Sequence, residues 1–132
     1  MTADHQGSPE GLDARLVDVG PLAAALAAFA RDRDWEQFHS PKNLVMALTG
    51  EVGELAEVFQ WLSEDASRVA AKDPKTAQAV RDEMADVLLY LVRLADVLGV
   101  DLNEAARAKL QINGMKYPAD KARGRSAKYT EM

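Results

Sequence analysis

The feature that most constrains this chain is a glutamate where an apolar residue belongs. Between about Ser40 and Leu62 the sequence reads as one helix, with Ser40 as N-cap and Pro41 in the first turn. At about 100° per residue, its apolar stripe is Leu44, Leu48, Val52, Leu55, Phe59 and Leu62, and Glu51 falls inside it. Glu54 lies on the border of the stripe, and Glu57 projects to the opposite side. An ionised carboxylate on a face meant for burial is costly unless a cationic side chain or a metal compensates it. Whatever the fold, it has to bring a cation to Glu51.

A second segment, about Pro74 to Leu98, repeats the anomaly. Its stripe is Val80, Met84, Val87, Leu91, Leu94 and Leu98, with Glu83 on the edge and Asp86 pointing the same way as Tyr90. Each helix thus offers an acidic pair at i, i+3, the spacing of neighbours on one side of a helix. If the two stripes pack together, four carboxylates converge. Ion pairing is the ordinary account of such acids. Yet neither Lys nor Arg occurs between Asn43 and Leu62 or between Glu83 and Tyr90. A cluster with only oxygen ligands suits a hard cation, Mg²⁺ or Mn²⁺, held by carboxylates and substrate phosphates. Zinc fits less well, because the only histidines are His5 and His39.

The remaining elements are helical too. Pro21 to about Arg33 is alanine-rich and opens on a proline suited to a first turn. Asp73-Pro74 reads as the cap and start of the third helix, and Gly99 as its stop. Asp101 with Glu104 forms a capping box for a fourth helix running to about Asn113 or Met115. The linker Ser63 to Asp73 is polar, and a basic tail follows Pro118, with Tyr129 as its one anchor. Period-two alternation and hairpin turns are missing. The expected fold is all-α, a four-helix-bundle-like arrangement. Residues 1–19 form a flexible extension, 20–118 the domain and 119–132 the tail.

Composition narrows the function classes. The chain carries a net charge of -5 and no cysteine, so disulfides and thiolate metal sites are excluded, a cytoplasmic location is expected, and extended nucleic-acid binding is disfavoured. No apolar run approaches the roughly 20 residues of a membrane span. The net charge suits a holder of divalent cations.

Two further groups surround the acids. Trp35, Phe38, His39, Trp61 and Tyr90 offer either core packing or a flat slot in which a nucleobase stacks. Lys109, Asn113 and Lys116 recur at i, i+4 and i+7, followed by Tyr117 and by Lys121, Arg123, Arg125 and Lys128. Such a basic terminus is ordinarily a solvated tail, but alongside a metal cluster these groups suit phosphate oxygens. Metal cluster, aromatic slot and cations together describe a nucleoside triphosphate site.

Glu51-Val-Gly-Glu54 followed by Glu83-Met-Ala-Asp86 resembles the E-x-x-E and E-x-x-D signature of the MazG-like all-α nucleoside triphosphate pyrophosphohydrolases. The segments Asp34 to His39, Phe59-Gln-Trp61, Asp86 to Tyr90, Asn113 to Pro118 and Lys128-Tyr-Thr130 are similar to the dCTP pyrophosphatase branch, across roughly residues 20–130. The resemblance implies hydrolysis of a dNTP, with dCTP or a modified cytosine analogue preferred, to dNMP and pyrophosphate. It assigns Glu51, Glu54, Glu83 and Asp86 to Mg²⁺; a carboxylate not fully committed to the metal, Glu51 or Glu54, is then the candidate to take the proton of the attacking water. It places Trp35, His39, Trp61 and Tyr90 around base and sugar, and Lys109, Asn113, Lys116 and Tyr117 at phosphates or sugar. It also implies a homotetramer with sites between subunits, while the net charge and the lack of a long apolar run argue against nucleic-acid and membrane partners. Two other readings compete: a related dUTP or phosphoribosyl-ATP pyrophosphohydrolase, and a non-catalytic helical interaction module.

Overall fold

Ser40 fixes where the first of the two longest helices begins. Its hydroxyl accepts the Asn43 amide at 3.2 Å, and helix α2 runs Pro41–Phe59 behind this cap. In the computed structural model, which describes residues 15–131, α2 is preceded by α1 (Gly20–Asp32) and a 3₁₀ turn (Glu36–Phe38). It is followed by α3 (Glu64–Arg68), α4 (Ala77–Leu98), α5 (Leu102–Lys116), α6 (Ala119–Ala122) and a second 3₁₀ turn (Tyr129–Glu131). The described residues contain no strand, as the missing alternation requires. The extension expected over residues 1–19 lies, up to residue 14, outside the described residues. No helix among the described residues is long and apolar enough to cross a membrane.

The residues fall into two compact units. In the first, Val19–Val100, α4 packs along α2 and against α1. Ala30, Leu44, Ala70, Val80, Val92 and Ala95 form its buried apolar core. The apolar stripes expected for α2 and α4 are only partly the inner faces. Leu44 and Val80 are buried, but Val52 is 49% exposed, Met84 57% and Leu98 54%. The reason is that α4 is apolar around more of its circumference than one packed face can cover. Its interior side runs through Val80, Val92, Arg93 and Ala95, while Met84, Leu88, Leu91 and Leu98 remain exposed.

Helix limits depart from expectation at several places: α2 ends at Phe59 instead of Leu62, α6 forms at Ala119–Ala122 within the expected tail, and two further differences have local causes. The segment Ser63 to Asp73, expected as linker, carries α3, because the Ser63 hydroxyl accepts the Ala66 amide at 3.0 Å and two acids occupy the first turn. Asp73-Pro74 starts a turn instead of α4. The Asp73 carboxylate takes the Lys75 amide at 2.9 Å and its carbonyl takes the Thr76 and Ala77 amides, so the helix begins at Ala77.

The second unit joins residues up to Asp18 with Asp101–Met132. Asp101 caps α5 through the Glu104 amide at 3.0 Å, and Glu104 pairs with Arg107 at 2.6 Å. Asn103 Oδ1 accepts the Leu16 and Val17 amides at 2.7 and 3.0 Å, tying that segment to the helix start. Tyr129 anchors the tail as expected, edge-on to Tyr117 at 5.9 Å with the Lys116 ammonium 4.9 Å above its ring.

Candidate functional site

Packing α2 against α4 brings together three of the four acids. Glu51, Glu83 and Asp86 each offer a carboxylate oxygen within 4.8 Å of the others. All three are half-buried, whereas Glu54 beside them is exposed. No described Lys, Arg or His forms an ion pair with any of the four. Glu51 Oε1 and Glu83 Oε2 are buried without a hydrogen-bond partner, a condition rare for polar atoms in folded chains.

The electrostatic consequence is a site that retains protons. Desolvation, followed by the charges of Glu54 and Asp86 and a side-chain hydrogen bond to Asp86, raises the Glu51 carboxyl above its ordinary range. Glu83 is pushed up to about 7, again first by desolvation, then by a hydrogen bond to and the charge of Glu54, then by Glu51 and Asp86. Like charges this close disfavour full ionisation, and a bound cation reverses that preference. The donors are all hard oxygens, so the orphaned atoms fit a hard divalent cation in chemistry.

A cleft opens beside the cluster. It is lined by Leu26, Phe29, Trp35, His39, Asp86, Leu89, Tyr90 and Arg93 and encloses about 160 Å³. That is less than the roughly 300 Å³ at the small end of ligand pockets, so the cleft fits one planar ring rather than a whole nucleotide. Asp86 belongs to both cleft and cluster.

The aromatic wall is built by the end of α1. Asp34 takes a left-handed φ of 56°, the Asp34 amide donates to Arg31 O at 3.1 Å, and the Trp35 amide donates to Ala30 O at 2.8 Å. These are the two bonds of a Schellman motif, with Asp where Gly is usual. Gln37 holds the turn by donating to the Asp34 carbonyl and carboxylate, both at 3.0 Å. The motif sets Trp35 edge-on to Phe29 at 5.8 Å and to His39 at 6.5 Å.

Of the base-site residues expected from sequence, Trp35, His39 and Tyr90 line this cleft. Trp61 does not; it is 87% exposed. Helix α2 stops at Phe59 and Trp61 enters a turn closed by the Leu62 amide on Phe59 O at 2.9 Å, so the helical spacing that would carry it along the stripe ends first. Phe38, weighed as core or slot, is 58% exposed. Lys109, Asn113, Lys116 and Tyr117 all belong to the second unit, the first three on α5 and Tyr117 at its end. Sequence reasoning missed Phe29 and Arg93. Phe29 was legible as the residue placed to meet Trp35 across a helix end, whereas Arg93 carried no local signal.

Helices that draw acids from two segments onto one face, next to an aromatic cleft, define a class, and the chain belongs to it: residues 47–132 match the MazG-like family. Its relatives include dCTP pyrophosphatase 1 of Mus musculus, 50% identical over 106 residues that cover 80% of this chain and 62% of that protein. The Homo sapiens protein of the same name is 51% identical over the same shares. The chain thus spans less than two thirds of the length of these relatives. A pyrophosphatase structure from Archaeoglobus fulgidus is similar with a TM-score of 0.69 and 39% identity, covering 74% of this chain and 90% of that one.

Proposed function

We propose that this chain is a Mg²⁺-dependent nucleoside triphosphate pyrophosphohydrolase that converts a dNTP, with dCTP or a modified cytosine analogue preferred, to dNMP and pyrophosphate. The observation that carries the reading is Asp86, which is shared between a carboxylate cluster with orphaned oxygens and a cleft the size of one ring. The names of the relatives support the substrate class: the mouse and human proteins are both dCTP pyrophosphatase 1. A 41% identical stretch of 61 residues in a dATP/dGTP diphosphohydrolase of Cyanophage S-2L supports the triphosphate chemistry while pointing to other bases.

Glu51, Glu83 and Asp86, with Glu54 alongside, would hold the metal. When bound, Mg²⁺ supplies charge neutralisation at phosphate oxygens and lowers the pKa of a water. The chain's own groups do the rest. Trp35, Phe29 and Tyr90 sandwich the base, and His39 meets its polar edge. Glu51 or Glu54 takes the proton of the attacking water, and burial together with the charges of Glu54 and Asp86 raises the affinity of Glu51 for that proton. Lys109, Asn113, Lys116 and Tyr117 serve phosphate oxygens and the sugar, which a planar or point-charge donor set favours.

Self-association as a homotetramer belongs to the same reading. Met84, Leu88, Leu91 and Leu98 leave an apolar row of α4 in water, and α5 buries none of its residues. Both need a covering surface. Trp61, exposed on one chain, would then complete a neighbour's site. A nucleotide-cleansing role in the cytoplasm completes the proposal.

The test is pyrophosphate release from each dNTP, from dUTP and from 5-methyl-dCTP, with Mg²⁺ and with chelator. Metal-dependent release led by a cytosine nucleotide supports the whole reading. Equal release from all bases keeps the chemistry and discards the base assignment, and no release returns the chain to an interaction module.

A further inference from the structure

Arg93 is the one charged side chain in the interior of the first unit, 9% exposed, and the carboxylate cluster has no part in its pairing. Its Nε donates to His39 Nδ1 at 3.0 Å, across 54 residues of chain. Its terminal nitrogen meets Asp96 at 3.5 Å. A guanidinium has only donors and stays protonated. The ring nitrogen it faces must therefore present a lone pair, which leaves the imidazole proton on Nε2. Among the described residues, no protein group accepts from that Nε2.

We propose that Arg93 is a positioning residue that locks His39 as the neutral Nε2–H ring, so that the imidazole offers the aromatic cleft an N–H donor and favours planar rings carrying a lone-pair acceptor. The occupant class rests on the nucleotide reading above; the lock itself does not. A cytosine ring, with a carbonyl oxygen and an unprotonated ring nitrogen on one edge, meets that demand. The surroundings agree: desolvation and the Arg93 charge lower the His39 pKa, against the opposing charge of Glu36. Among ionisable groups, Asp86 and Tyr90 also line the cleft.

The side chains available make the lock separable from bulk and from charge. Glutamine carries its amide nitrogen at the same position along the chain as arginine Nε, so Arg93→Gln keeps a donor and removes the charge. Arg93→Met keeps apolar bulk and removes the donor. Long-range ¹H–¹⁵N correlation on histidine-labelled protein reads the tautomer directly, and with only His5 and His39 in the chain the assignment is settled by His5→Gln.

The expected result at neutral pH is the Nε2–H tautomer for His39 in wild type and Arg93→Gln, and a mixed or charged ring in Arg93→Met. With that change, KM for dCTP rises about tenfold while kcat stays within about twofold, the mark of a lost contact made equally in ground and transition states. A wild-type His39 carrying its proton on Nδ1 or on both nitrogens overturns the lock without any variant. So does an unchanged tautomer in Arg93→Met, and a changed tautomer with unchanged KM overturns the selection. Failure of all dNTPs as substrates would instead remove the proposed function, and the tautomer readout, which needs no substrate, separates the two failures.

Discussion

Glu83 and Asp86 on α4 face other carboxylates, while Arg93, about two turns further along the same helix, faces a lone pair on His39 and a counter-charge on Asp96. Both regions bury charge beside one cleft. In the first, Glu51 Oε1 and Glu83 Oε2 have no partner; in the second, Arg93 is supplied by the protein itself. A buried charge with its partners built in is a finished piece of architecture. One without them is an arrangement that a ligand completes. The contrast separates carboxylates that the fold leaves without a counter-charge from an arginine whose partners the fold supplies; under the proposed function these are the cation-holding and ring-reading parts of one site.

The largest expected effect comes from breaking the unfinished side. Asp86→Asn and Glu51→Gln keep shape and remove charge. Each should lower turnover by about two to three orders of magnitude, because metal-borne stabilisation of phosphate charge is worth several kcal/mol. Far-ultraviolet circular dichroism should show the helices intact. Turnover unchanged in both variants would sink the proposed chemistry, and loss of helix would show that these acids serve the fold.

The next effect is on stability, and its sign follows from proton binding. The folded-state pKa of Glu83 is raised from 4.5 to about 7, and that of Glu51 is raised as well. The folded chain then binds more protons than the unfolded chain over this window, so the stabilising contribution is complete below about 4.5 and is lost as pH rises through about 7. In chelator, the melting temperature should fall from about pH 5 to about pH 8. Glu83→Gln should flatten that slope and exceed wild type at the alkaline end. Mg²⁺ should restore the wild-type melting temperature there, by about 2.7 kcal/mol at a hundredfold excess over its dissociation constant, and should do little for Glu83→Gln. A melting temperature that rises with pH in chelator would contradict the crowded-carboxylate description.

How much of this could be read from sequence depends on whether the signal was local. The starts at Ser40-Pro41 and Asp101, and the stop at Gly99 with its φ of 72°, were legible because caps are chosen by residues within one turn. The acids were legible because Glu51 broke a periodic pattern and no cation lay nearby in the chain. By contrast, α3 spans only five residues, too few to show periodicity. The exposed row at Met84, Leu91 and Leu98 was misjudged as inward because an apolar stripe says that a surface is to be covered, and not by which surface. Arg93 looked like any solvated arginine, since its burial depends on His39 far off in sequence.

The smallest effect tests the preset side at its foundation, the turn that places Trp35. Asp34 holds φ 56° where the end of α4 uses Gly99 for the same pair of bonds, Gly99 to Asp96 O and Val100 to Ala95 O. A residue with a β-carbon in this conformation costs about 1–2 kcal/mol, part of which the Asp34 carboxylate recovers by accepting from Gln37. Asp34→Gly relieves the conformation but adds about 0.5–1 kcal/mol of backbone entropy, so its stability should lie within about 1 kcal/mol of wild type. Asp34→Ala keeps the β-carbon and loses the acceptor, and should be the less stable of the two by about 1 kcal/mol in urea unfolding. Near-ultraviolet dichroism of Trp35 should follow the same order, because the turn is what sets its ring against Phe29. If alanine proved as stable as glycine, the left-handed turn would not be what holds the aromatic wall, and the preset side would have to rest on the Arg93–His39 bond alone.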